Sequence, residues 1–240
     1  MIQFHISQGA PEADMAAAEL LAGWIRRREV KTLMVAGGNT PLQLYRLVAG
    51  LKPPVDELRV FVLDEYVGVP LAEPRNCTNL LRATVADAWG MPADRFHGLY
   101  SMPDRAEEVV VRHERLIESF GGLDAIVLGL GQNGHLGFNE PGSERESKAR
   151  VISLEPISVE ANRSWFNGIY GPSIGATVGL RTILGARRVL IQAYGERKVA
   201  PVRNMIRGPV GSHCPASFLG EHPETHLFLD HAAAAGVRHA

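Results

Sequence analysis

Cysteine is nearly absent from this chain. There are two among 240 residues, Cys77 and Cys214, at a spacing that fits neither a disulfide framework nor a zinc site. A reduced cytoplasmic setting is therefore expected. Long apolar runs are missing too. None approaches the roughly 20 residues that span a bilayer, so no membrane association is expected. The opening stretch MIQFHISQGAPEAD has no basic segment followed by an apolar core, and so carries no export signal. Charge of one sign is also lacking. With 25 Lys and Arg against 26 Asp and Glu, the net charge is −1, which leaves no basic face for a nucleic-acid backbone. Internal repeats and low-complexity linkers do not occur. What remains is 45% hydrophobic and 21% charged, the composition of one compact domain over residues 1–240.

The apolar pattern alternates short runs with amphipathic stretches. Ile2–Ile6, Thr32–Val35, Val60–Leu63, Ala125–Leu128, Val151–Leu154, Val189–Ala193 and Leu227–Leu229 read as strands. Helices are expected from Pro11 to Glu29, with Met15, Ala18, Leu21, Trp24 and Ile25 on one face, and from Pro41 through Val48. Further helices are expected over Thr78–Trp89, Asp104–Phe120, Thr177–Leu184 and Lys198–Arg207. In the Asp104–Phe120 helix Val109, Val110, His113, Leu116, Ile117 and Phe120 should face inward. Ala161–Phe166 reads as a helix start or a loop, Glu144–Arg150 as an exposed charged segment, and His231–Val237 as a short helix or frayed end. Strands alternating with helices predict an α/β fold, Rossmann-like, with a mainly parallel sheet covered by helices on both faces.

Chemistry concentrates where these strands end. LDAIVLGLGQNGHLGFNEPG runs from Leu123 to Gly142. Its apolar half has the pattern of a strand buried on both faces, and its glycines let the backbone turn sharply and lie close to a ligand. That turn carries Asn133, His135, Asn139 and Glu140. In open α/β sheets ligands bind beyond the carboxyl ends of the strands. Gly37-Gly38-Asn39-Thr40-Pro41 lies between a strand and a helix, where backbone N–H groups and the positive helix end make an anion site. It is neither a Walker A loop nor a GxGxxG fingerprint, so no nucleotide is implied. Asp64 and Glu65 end an apolar strand, and either could work as a base in a ligand crevice. Lys198 follows the turn Gly195-Glu196-Arg197 and could reach a phosphate held at the same edge. The late histidines His213, His222, His226, His231 and His239 are scattered and read as solvated or structural, with no metal expected. A phosphate cradle, a carboxylate, a His/Glu pair and a lysine on four strand-end loops suit acid/base chemistry on a small phosphorylated molecule. The residues alone name neither the sugar nor the bond.

LDEYVG at Leu63–Gly68 and GLGQNGHLGFNEPG at Gly129–Gly142 resemble the glucosamine-6-phosphate deaminases and their galactosamine-6-phosphate isomerase relatives. The likeness runs nearly end to end, through ATVGLRTIL, GERK and PASFL. The NGHLGFNEP segment distinguishes the chain from the related 6-phosphogluconolactonases, which usually carry DGH with no NEP after it. The resemblance implies that Asp64 moves a proton between C2 and C1, that His135 opens the sugar ring, and that Glu140 supports it, with Asn133 orienting His135. It assigns phosphate contacts to Gly37, Gly38, Asn39, Thr40 and Lys198. Three departures stand out. Asn133 replaces an Asp found in some deaminases. AGGNTP is one residue longer than the usual TGGTP. In Asn162-Arg163-Ser164-Trp165-Phe166 the family's phosphate arginine falls on Ser164, with Arg163 one place early.

The expected activity is an aldose–ketose isomerase and deaminase that turns a 2-amino-2-deoxyhexose 6-phosphate into a ketohexose 6-phosphate and ammonia. The rivals are a lactonase and a non-catalytic sugar-phosphate sensor. The resemblance implies no cofactor and no metal. Its implied partner is a small-molecule sugar phosphate, and a homo-oligomer stays open.

Overall fold

The computed structural model describes residues 1–100 and 102–238. The chain starts with β1 (Ile2–Ser7), α1 (Ala10–Arg26), β2 (Thr32–Val35), α2 (Asn39–Leu51) and β3 (Arg59–Val62). A short β4 (Asp64–Tyr66) follows, then α3 (Cys77–Leu81), which widens into π-helical turns over Arg82–Asp87, and an edge strand β5 (Phe96–His97). Next come α4 (Ala106–Ser119), β6 (Ala125–Gly129), β7 (Arg150–Ser153), α5 (Pro156–Trp165), β8 (Ile174–Thr177) and α6 (Leu180–Leu184). The described chain ends with β9 (Arg188–Ala193), α7 (Val199–Arg207), β10 (Thr225–Asp230) and α8 (Ala235–Arg238).

Seven strands form one parallel sheet in the order β1-β10-β9-β6-β2-β3-β5. Parallel pairing needs crossovers, and the amphipathic helices supply them while covering the faces. Successive side chains of a strand point to opposite faces, and the core divides accordingly. Leu33, Val35, Val60, Val62, Ala125 and Val127 pack on one side with α1, α2 and α3. Met34, Phe61, Leu63, Ile126, Leu128 and Ile191 pack on the other with α6 and α7. Met34 is fully buried in that second layer, so truncating it to alanine costs about 2–5 kcal/mol.

A smaller antiparallel sheet, β4-β8-β7, lies at the carboxyl end of β3. The sequence did not announce it. Thr177–Leu184, expected as one helix, divides instead into the end of β8 and the short α6. The dividing point is tight: a Cβ on Gly179 would lie 2.1 Å from the Ser147 carbonyl oxygen. The two-residue β5 is likewise a strand that the periodicity did not show, because two residues carry no period. Ala161–Phe166 proves to be the second half of α5 and its C-terminal cap.

Two residues expected to face inward do not. Met15 and Phe120 are each 40% exposed. Phe120 lies just past the end of α4, where the Arg59 guanidinium covers its ring at 4.4 Å. Among the late histidines, His222 and His226 are buried and structural. His222 Nε2 lies 2.7 Å from the Ala186 carbonyl, and His226 Nδ1 lies 3.0 Å from His5 Nε2. His213 and His231 are exposed, and His239 lies outside the described residues. Among the described residues no helix is long and apolar enough to cross a membrane.

Candidate active site

The loops that follow β2, β3, β6 and β9 meet at one cavity of about 210 Å³. Its lining takes Gly37 and Gly38 from the β2–α2 loop, Asp64 from the β3–β4 junction, His135 from the loop after β6, and Lys198 from the turn after β9. The helix α5 forms a further wall through Ile157, Ser158, Ala161 and Asn162. The four strands are adjacent in the sheet, in the order β9-β6-β2-β3, which is why residues far apart in sequence converge here.

Gly38 sits at φ 90° and ψ 173°, a conformation that side chains other than glycine's rarely tolerate. It leads into α2, whose first-turn N–H groups lack helical partners, so the loop can bind an anion. Asn39 and Thr40 lie in that first turn and are not in the cavity lining. Lys198 is half-buried, and its ammonium donates to the Leu130 carbonyl at 2.5 Å. Burial lowers its pKa from the ordinary lysine value. Arg163 is not brought to the cavity. Its side chain is 61% exposed, lies 3.9 Å from Glu160 and packs beside Gly171. Arg163, a candidate phosphate contact by sequence, thus lies outside the cavity lining. On α5 it is Ala161 and Asn162 that turn inward, and their neighbour Arg163 points elsewhere because successive helical positions differ by about 100°.

Asp64 is 6% exposed, and its carboxyl is pushed up to about 7, first by burial and then by the neighbouring charge of Glu65. A carboxyl poised there can accept a proton near neutral pH. Glu65 has a different task. Its Oε1 accepts the Tyr66 N–H at 2.8 Å and the Cys77 N–H at 3.0 Å, and its Oε2 accepts the Thr78 N–H at 2.8 Å. It thus caps the start of α3 and ties the loop that carries Asp64 to that helix.

The imidazole of His135 lies flat over Gly131. A Cβ at that glycine would come within 2.4 Å of the ring, so only glycine leaves the ring its seat. Nδ1 of His135 is 3.4 Å from Glu140 Oε2. The same oxygen accepts a hydrogen bond from Asn133 Nδ2 at 2.7 Å, and Asn133 Oδ1 accepts the His135 backbone N–H at 3.3 Å. Burial alone would raise the Glu140 carboxyl, but the His135 contact and the Ser158 and Asn133 hydrogen bonds outweigh it and hold it at about 2. Glu140 is therefore held in its ionised form near neutral pH.

The loop around this cluster is braced from outside. Asn139 Nδ2 donates to the Leu136 and Val178 carbonyls at 3.0 and 2.9 Å. Arg150 on β7 donates to Asn139 Oδ1 at 2.9 Å and to Ser143 Oγ at 2.7 Å. The small antiparallel sheet thereby fixes the loop in which His135 and Glu140 sit.

Sequence reading did not find Ser158, Cys77 or Arg150 near the site. A serine early in a helix and a single cysteine carry no chemical signature on their own, and only the folded chain brings them to the cavity or its loop. Among the described residues no group of three or more His, Cys, Asp and Glu side chains is placed to hold a metal ion.

Residues 7–228 match the family described as glucosamine-6-phosphate isomerases/6-phosphogluconolactonase. The glucosamine-6-phosphate deaminase of Cutibacterium acnes is 37% identical over 224 residues, covering 91% of this chain and 86% of that protein. That of Rhodopirellula baltica is 35% identical over 241 residues, covering 98% and 96%. A solved monomeric glucosamine-6-phosphate deaminase superposes with a TM-score of 0.92 at 29% identity, covering 97% of this chain and 99% of that one. The 6-phosphogluconolactonase of Trypanosoma cruzi superposes with a TM-score of 0.79 at 20% identity, covering 99% and 97%, and shares the fold. By sequence over almost its whole length, by architecture, and with the acid/base loop it carries beyond β6, this chain belongs to the family of glucosamine-6-phosphate isomerases and 6-phosphogluconolactonases.

Proposed function

We propose that this chain, acting as one domain over residues 1–240, is an amino-sugar-phosphate deaminase. It converts a 2-amino-2-deoxyhexose 6-phosphate and water to a ketohexose 6-phosphate and ammonia. The observation that carries this reading is the convergence of Asp64, the His135–Glu140 pair, Lys198 and the Gly37-Gly38 loop on one cavity. In this reading the 6-phosphate docks against the Gly38 loop and the start of α2, with Lys198 as its counter-charge. His135, oriented by Asn133 and Glu140, gives a proton to the ring oxygen and opens the pyranose. Asp64, poised at about 7, takes the proton from C2 and returns it at C1. The double bond shifts from C1 to C2, and water then displaces ammonia from the C2 imine. Hydrogen moves within the substrate, so the balance calls for no external oxidant or reductant. The buried free thiols of Cys77 and Cys214 suit a reducing cytoplasm.

Glucosamine 6-phosphate is the first substrate to test, because it names the activity of the relatives with more than 30% identity. Purified protein is assayed in parallel with glucosamine 6-phosphate, galactosamine 6-phosphate and 6-phosphogluconolactone. Ammonia release from an amino sugar is the expected result. Acid release from the lactone alone would replace this reading with a lactonase. Saturable binding of all three without turnover would replace it with a sensor.

A further inference from the structure

We propose that Ser158 is a positioning residue: its hydroxyl and the Glu140 carboxylate together hold His135 with Nδ1 toward the protein and Nε2 toward the cavity. The substrate in this inference is the one in the amino-sugar-phosphate reading above, on which the kinetic arm of its test rests.

The imidazole has two ring nitrogens, and chemistry in the cavity needs the correct one free. Nδ1 faces two oxygens, Glu140 Oε2 at 3.4 Å and Ser158 Oγ at 3.5 Å. An ionised carboxylate can only accept hydrogen bonds, while a hydroxyl has one proton and two lone pairs. With Glu140 ionised beside it, the Ser158 hydroxyl has an acceptor for its one proton, and its lone pairs are then left for a hydrogen on Nδ1. Both neighbours of Nδ1 therefore accept. A neutral ring with its hydrogen on Nε2 would set a nitrogen lone pair against two oxygens. A ring turned over by half a rotation would offer them a C–H. The state that satisfies the pair has the hydrogen on Nδ1 and leaves Nε2 to exchange protons with a bound sugar.

The hold on Glu140 comes from α5 at two points. Beyond the Ser158 hydroxyl, the Glu155 backbone N–H, at the helix N-cap, donates to Glu140 Oε1 at 3.4 Å. Ser158 is itself only 6% exposed, so its hydroxyl has little water to turn to. Its neighbours Ile157, Ala161 and Asn162 line the cavity from the same helix. The element that walls the substrate is thus also the element that orients the acid/base ring. Asn133 acts on the opposite side of Glu140, at 2.7 Å, and Gly131 lies beneath the imidazole. The pair is thus held by its own loop through Asn133 and Gly131, and by α5 through Ser158 and the Glu155 N–H.

The test uses the full-length protein with Ser158→Ala and Ser158→Thr. Long-range ¹H–¹⁵N NMR of the His135 ring in its neutral form reads the tautomer without any substrate. The wild type and Ser158→Thr, which keeps the hydroxyl, should show the hydrogen on Nδ1. Ser158→Ala should show a mixture with the Nε2-bound form. With the amino-sugar phosphate, Ser158→Ala should lower kcat about threefold to tenfold, the range for losing one hydrogen bond, while KM stays within about twofold. Retention of the Nδ1 tautomer in Ser158→Ala would overturn the proposal whatever the kinetics. Absence of turnover in the wild type would instead overturn the substrate assignment, and the NMR result would still decide the role of Ser158.

Discussion

Asp64 and Glu65 are adjacent in the chain, yet their carboxylates have opposite surroundings. Glu65 accepts three backbone N–H groups within 3.0 Å. Asp64 faces the cavity with burial and the Glu65 charge both acting against its ionisation. Both are buried, but Glu65 is saturated by backbone donors, whereas Asp64 is left facing the cavity. That contrast sets the first two predictions.

Asp64→Asn should lower turnover by about two to four orders of magnitude, as expected for losing a positioned acid/base group. It should also stabilise the protein. The folded pKa of about 7 is raised above the unfolded value, so the stability that Asp64 contributes below the unfolded pKa is lost as pH rises through the folded one. A neutral amide escapes that loss. The gain in Tm should therefore be larger at pH 8 than at pH 5, which thermal melts at the two values check. A variant melting below the wild type at pH 8 would show that the Asp64 charge is compensated in the folded state.

The same value predicts the acid limb of the pH–rate profile. A base must be deprotonated to act, so kcat/KM should fall as pH drops below about 7. Glu65→Gln removes one of the two causes and should shift that limb to lower pH. Its amide would set an N–H against a backbone N–H that Glu65 now satisfies, at a cost of about 1–3 kcal/mol in stability. A limb that stays in place would assign it to another group.

Glu140→Gln probes the other carboxylate. The folded pKa of about 2 is depressed, so its stabilisation is present above the unfolded pKa and is lost as pH falls from there through about 2. At pH 7 the variant should melt lower than the wild type. At pH 3 the difference should narrow. Turnover should fall as well, since His135 loses a charged partner 3.4 Å away. Equal melting temperatures at both pH values would show that the network does not stabilise the fold.

Lys198→Ala and Arg163→Ala form a contrasting pair. Lys198 lines the cavity and Arg163 does not. A phosphate contact is made equally in the ground and transition states, so Lys198→Ala should raise KM about tenfold or more and change kcat little. Arg163→Ala should leave both constants within about twofold. A large KM effect at Arg163 would mean that α5 turns when substrate binds.

The strands of the parallel sheet other than β5, most of the helices that connect them, and the four strand-end loops were legible in the sequence. Each is written locally, as runs with a period, as glycines where the backbone must turn, and as polar residues directly after apolar ones. His135, Glu140 and Asn133 were legible for the same reason, since one short loop carries them all. The choice between Asp64 and Glu65 was not. At Leu63 the chain leaves the parallel sheet and enters the antiparallel one, with Leu63 N–H donating to the Val35 carbonyl and the Leu63 carbonyl accepting from Val178. Side-chain alternation cannot be carried across that switch, so the face of each carboxylate is set by the second sheet. The same limit applies to α5. Its sequence left Ala161–Phe166 open as a helix start or a loop, and which of Ser158, Asn162 and Arg163 meets the site depends on how the helix is rotated against the loop after β6. Packing between elements distant in the chain decides that rotation, and no local pattern records it.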